Sequence, residues 1–156
     1  MDTELKTCTD EIFEIIKEWE QKLISLSEDV ISQKRNKQNR SIKQILGHLI
    51  DSASNNHQRI IRLQYNKCLE FPDYTQDNDL WIMLQDYQHA NWNNLIKLWK
   101  YYNLHLIQII ETIDESKFEN YWFDFEKNKI TLHEMIIGYL WHLNLHINEI
   151  NELINA

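Results

Sequence analysis

The sequence predicts an all-α, four-helix-bundle fold in a single domain over residues 1–156, and three features carry that expectation. Only two Gly and one Pro occur, so few positions break a helix. Apolar residues recur at three- and four-residue spacing through four long stretches. Two of those stretches open on Ser/Thr-x-x-Gln/Glu, where the cap and the third residue satisfy each other's orphan backbone N–H groups.

The first helix runs from about Glu4 to Leu26, with Ile12, Ile15, Ile16, Trp19 and Leu23 as its stripe. Ser25, Ser27 and Glu28 end it, and a linker rich in Asn, Gln and Lys follows. Lys34, Arg35, Lys37, Arg40 and Lys43 lie in that linker and read as a solvated basic loop. The second helix opens at Ser41-x-x-Gln44, and Ile42, Ile45, Leu46, Leu49, Ile50, Ala53, Ile60 and Leu63 form its stripe. It fades near Cys68, and Phe71-Pro72-Asp73 marks a loop. Asp77 or Asp79 then caps one long third helix from about Leu80 to Thr112, striped by Leu84, Tyr87, Leu95, Leu98, Tyr102, Ile109 and Ile113. Aromatic alternation from Tyr121 to Phe125, around a polar turn at Lys127-Asn128, predicts a short β-ribbon. Thr131-x-x-Glu134 starts the last helix, whose stripe is Leu132, Met135, Ile136, Tyr139, Leu140, Leu143, Ile147, Ile150 and Ile154.

The formal charge of −8 argues against a general nucleic-acid binder, which needs clustered Lys and Arg to neutralise phosphates. No apolar run approaches the roughly 18 residues of a membrane span. The opening MDTELKTCTDEIFEII is acidic and amphipathic, unlike a signal peptide. Cys8 and Cys68 make neither a disulfide framework nor a thiolate zinc cluster. The expectation is a reduced, cytoplasmic protein without membrane or nucleic-acid partners. Six Trp and seven Tyr in a chain of this size point to aromatic walls around a cavity.

The histidines carry the chemistry. His142 and His146 stand four apart on the last helix, so their rings share a face and can reach one metal ion. Gly138, one turn earlier, leaves room beside the backbone. A third ligand must come from another helix, and the helical wheel leaves three choices. His57 and His105 lie within their apolar stripes, where a satisfied core histidine is the commoner fate. His48 lies at a stripe margin, roughly 120° from its centre at 100° per residue. His89 and His133 read as surface residues. His133-Glu134 is followed by Ile137 where a His-Glu-x-x-His motif needs its second histidine. Paired Glu-x-x-His motifs of di-iron bundles are missing too.

Two stretches then bear a resemblance to a known family. Ile42-Lys-Gln-Ile-Leu-Gly-His48-Leu-Ile-Asp-Ser52 resembles the second helix of the DinB-like (YfiT-like) superfamily, and Trp141-His142-Leu-Asn-Leu-His146-Ile-Asn-Glu-Ile150 resembles its last helix. The resemblance covers nearly the whole chain. It implies a metal site of His48, His142 and His146, holding zinc or nickel, and it is the resemblance that places His48 ahead of His57 and His105. Position 145 is Leu where many relatives carry a second, adjacent histidine.

Three imidazoles leave a metal with an open position, as catalytic sites do. The resemblance further implies transfer of a low-molecular-weight thiol (bacillithiol, mycothiol or glutathione) to an electrophilic small molecule, and a homodimer. A hydrolase using metal-bound water is the enzymatic alternative. The other is a non-catalytic bundle with a structural metal and a protein partner, its site closed by Glu149, His57 or His105. Ser52, Asn55 and Arg59 lie on the same side of the second helix as His48. Asn55 and Arg59 are the candidates to bind the thiol cofactor, Arg59 through a carboxylate, while Glu149 is the candidate to orient His142 or His146.

Overall fold

The computed structural model describes residues 2–70 and 76–156, so the loop expected at Phe71-Pro72-Asp73 lies outside the described residues. Four long helices build the molecule: α1 (Thr3–Ile24), α3 (Ile42–Leu63), α5 (Trp92–Glu111) and α6 (Leu132–Asn155). Short helices α2 (Glu28–Gln33) and α4 (Asn78–Leu84) sit in the connections. Strands β1 (Cys68–Leu69), β2 (Tyr121–Phe123) and β3 (Lys129–Thr131) form a small sheet. Helices α1 and α3 each pack chiefly against both α5 and α6, which puts α3 beside α6.

Each long helix starts where its cap residue dictates. Asp2 accepts the N–H groups of Glu4 and Leu5 at 2.9 and 3.1 Å. Both expected capping boxes close: Ser41 with Gln44 on α3, and Thr131 with Glu134 on α6. The core is the set of inward stripes, including Ile12, Leu46, Trp99, Leu106, Leu132 and Ile136. Each such side chain stabilises the fold by roughly 1.5–3 kcal/mol on leaving water. A polar pair interrupts this core, where the Tyr139 hydroxyl donates to Asn103 Oδ1 at 2.5 Å.

The structure corrects three expectations. The single third helix is two, because α4 stops at Leu84 and the chain turns through Asp86 at φ 48°. Asp tolerates that left-handed conformation, and it swings Tyr87 inward before Asn91 caps α5 afresh. The basic linker is only partly solvated: Ser27 caps α2 within it, and Arg40 and Lys43 are buried. Arg40 reaches Asp79 through Nε and Nη2 at 3.1 and 2.9 Å, and the Lys43 amine stands 4.0 Å from Glu28. The ribbon is present, with Trp122 opposite Ile130, but β1 also pairs with β2 in parallel where only a fading helix was expected. The small sheet covers one end of the α3–α6 seam, and it buries Trp122 there.

Candidate metal centre

Helix packing brings His48, from the second turn of α3, against the pair on α6. The Nε2 atom of His142 lies 3.2 Å from that of His48 and 3.1 Å from that of His146. Ligand nitrogens of a tetrahedral zinc, about 2.0–2.1 Å from the ion, stand about 3.3–3.4 Å apart. The observed spacing is close to that. His48 and His146 are buried and His142 is half-buried.

Support from behind orients the rings. Glu149 Oε2 stands 3.0 Å from His146 Nδ1 and also accepts from Asn36 at 3.3 Å. Ser52 Oγ stands 3.3 Å from His142 Nδ1. A carboxylate can only accept, so His146 carries its proton on Nδ1 and presents an Nε2 lone pair to the centre. With Ser52 accepting in the same way, lone pairs converge on one point. The two α6 lone pairs face His48 Nε2, and either a cation between the rings or a proton on that nitrogen satisfies them.

Burial pushes the His48 imidazolium down from 6.5 to about 3, with the other two histidines and Arg40 adding to the effect. Burial likewise takes His142 down to about 4, helped by His146 and partly opposed by Glu149. Both rings are therefore neutral at pH 7, the state a ligand needs. The unfolded chain binds more protons than the folded one between about pH 4 and 6.5, so stability falls as pH falls through that window. Metal-free protein should melt at progressively lower temperature between pH 7 and 4.5, and His48→Gln/His142→Gln should show a shallower slope in the same titration.

An open cleft of about 340 Å³ begins at His48 and His142. Ser52, Asn55, Asn56 and Arg59 line one wall along α3. The facing wall is Ile130, Met135 and Tyr139, with Trp122 beneath Arg59, whose guanidinium stacks 4.4 Å from the ring centre. Asn55 donates to Gln76, and Gln76 donates onward to Asn78 at 3.0 Å. A methyl placed on Gly138 would meet nothing within 4 Å, so the glycine leaves open space in this cleft. A larger groove of about 740 Å³ runs past Glu149 and Leu153 but has none of the three histidines in its wall.

Of the residues nominated from sequence, His48, His142 and His146 converge, and Asn55 and Arg59 share their cleft. The candidates for a closing ligand do not join them. Glu149 is behind His146, His57 is bonded to the Tyr102 hydroxyl at 2.9 Å, and His105 is exposed on α5 rather than within its apolar stripe. Among the described residues no fourth His, Cys, Asp or Glu completes the group. His89 is exposed as expected, whereas His133 is half-buried near Asp2 and Glu4 at 3.6 Å each. That second group is a poor cation site, since Asp2 already caps α1, at a helix end whose dipole opposes positive charge. Gln76 and Asn78 were missed, because nothing in their local pattern points to a wall formed with α3.

The family model of the DinB superfamily matches residues 15–150 of the chain. YfiT from Bacillus subtilis, described as a probable metal-dependent hydrolase with an unusual four-helix bundle topology, superimposes with a TM-score of 0.86. The two sequences are 20% identical, and the match covers 98% of this chain and 87% of YfiT. At that identity the likeness speaks for the fold. No curated protein matches the sequence significantly.

Proposed function

This chain belongs to the DinB superfamily, and on that premise we propose that it is a metal-dependent enzyme. In this reading His48, His142 and His146 hold one divalent ion, zinc or nickel. The observation that carries it is the convergence of three imidazoles beside an open cleft, with no fourth ligand among the described residues. When bound, the ion supplies Lewis acidity toward a thiol or water at its open position.

The reaction we favour is transfer of a low-molecular-weight thiol to an electrophilic small molecule. A sulfur–carbon bond forms as the thiol proton and the electrophile's leaving group depart. Arg59 stands three turns beyond His48, roughly 16 Å along the helix axis, which suits a peptide-sized thiol with its sulfur at the histidines. The guanidinium, steadied by Trp122, is the group in this cleft suited to a carboxylate of that cofactor. Asn55 and Gln76 present amides between the two ends, while Ile130, Met135 and Tyr139 give the electrophile an apolar wall.

Hydrolysis is the second reading, favoured by the description of YfiT. It would want a general base beside the attacking water. Glu134 is the one carboxylate among the described residues lining the cleft, and its Oε2 already caps α6 through Thr131 N–H at 2.9 Å. A thiol must lose a proton too, but it is far more acidic than water and needs less help from a base, so thiol transfer stands first.

Zinc- or nickel-loaded protein with glutathione and an alkyl halide should yield the thioether, followed by mass spectrometry. Arg59→Ala should raise KM for the thiol by about 10- to 100-fold with little change in kcat, the worth of hydrogen bonds to a charged group. Ester cleavage without thiol would support the hydrolase reading. Turnover of neither substrate class would leave a non-catalytic bundle with a structural metal.

A further inference from the structure

His146 and His48 occupy the same kind of local frame, and only His146 shows its partner. In His146-x-x-Glu149 the carboxylate three residues on stands 3.0 Å from Nδ1. The spacing recurs on α3 as His48-x-x-Asp51. Residues three apart on a helix are surface neighbours, with Cβ atoms about 5–6 Å apart, so an Asp oxygen can reach an imidazole Nδ1.

Both α3 side chains are deeply buried, His48 at 5% and Asp51 at 3% exposure. Each keeps one buried polar atom without a hydrogen-bond partner among the described residues: His48 Nδ1 and Asp51 Oδ2. The first is a donor whenever Nε2 presents its lone pair, and the second is an acceptor. Buried polar atoms are rarely left unpaired, and here the two orphans are complementary. The other Asp51 oxygen is already committed. Oδ1 accepts from the Tyr87 hydroxyl at 2.7 Å and from Gln85 Nε2 at 2.9 Å, which anchors the carboxylate and leaves Oδ2 available.

We infer that Asp51 is a positioning residue for His48, its Oδ2 accepting the Nδ1–H hydrogen bond just as Glu149 accepts that of His146. The contact closes by rotation of the two side chains. It holds the tautomer that turns Nε2 toward the cluster and raises the basicity of that nitrogen. Tyr87 and Gln85 are then the anchors of the carboxylate, and neither touches the imidazole. This inference rests on the reading of His48 as a metal ligand.

Zinc affinity, measured on the full chain by competition with a chromophoric chelator, tests it together with nitrogen-resolved imidazole spectra of the zinc-loaded protein. Asp51→Ala should weaken zinc about 10- to 100-fold, and its His48 Nδ1–H resonance should be lost to exchange. Asp51→Asn, whose amide oxygen can still accept, should lose less of both. Tyr87→Phe keeps Oδ2 and should stay within about threefold of wild type, well short of that loss. Wild-type affinity with an unchanged His48 signal in both Asp51 variants would overturn the assignment. So would a loss in Tyr87→Phe equal to that in Asp51→Ala with the signal intact, since Asp51 would then only anchor Tyr87. Should Asp51→Ala fail to fold, Asp51→Asn decides by the same two readouts. Wild type that takes up no zinc would remove the metal reading itself, and this inference with it. Zinc held equally by wild type and the Asp51 variants would remove only the inference.

Discussion

Wild-type protein equilibrated with zinc should retain about one equivalent per chain, and His48→Ala and His142→Ala should each retain almost none. Each variant removes one of three converging nitrogens and leaves two, too few to hold an ion against a chelator. Even loss of a supporting partner behind a ligand typically costs 10–100-fold in affinity, so loss of the ligand itself should exceed 100-fold. His57→Ala provides the contrast: it lies on the α5 side of α3, bonded to Tyr102, and should keep full metal content. Elemental analysis of tag-free protein, with circular dichroism to show that each variant folds, gives the readout. Equal metal in all four proteins would sink the three-histidine site.

Gly47→Ala should destabilise the protein, although it adds only one methyl group. A Cβ on Gly47 would overlap the ring of Tyr87, far inside van der Waals contact with its Cγ, Cδ2 and Cε2 atoms. Ala in place of Gly gains up to about 1 kcal/mol of helix propensity. Overpacking of a buried ring costs about 1–3 kcal/mol and sometimes more. The ring is buried and tied at its far end to Asp51, so it has little freedom to retreat. We expect a net loss of about 2 kcal/mol in chemical denaturation, and almost no loss when the same substitution is made in a Tyr87→Ala background. Stability equal to wild type would show that Tyr87 does not press on α3. Tyr87 bridges the position before His48 and the carboxylate three residues after it, so the same substitution should also weaken metal binding.

Legibility in the sequence differs from element to element, and the reason is distance along the chain. The α6 pair could be read directly, because i and i+4 geometry is local. His48 could not be separated from His57 and His105 on a wheel, since a stripe margin does not say which neighbouring helix it will meet. The motif resemblance made that choice. The bundle, the two capping boxes and the ribbon were legible for the same reason as the α6 pair: each is written within a few residues. What escaped depends on remote partners. The break at Asp86 serves a contact between Tyr87 and Gly47, and Arg40 is buried against a carboxylate 39 residues away. Trp122 was visible as one aromatic of the ribbon, but the cleft it floors appears only when β2 meets α3 and α6.

Gly138 shows what the cleft demands of the scaffold. It puts into α6 the residue that favours a helix least after proline, at an exposed position where a methyl would strike nothing. Alanine there would strengthen the helix by up to about 1 kcal/mol. The helix forgoes that gain at the point where a larger side chain would fill the space beside His142. Position 138 is therefore a place where thermal robustness and open volume in the cleft pull in opposite directions.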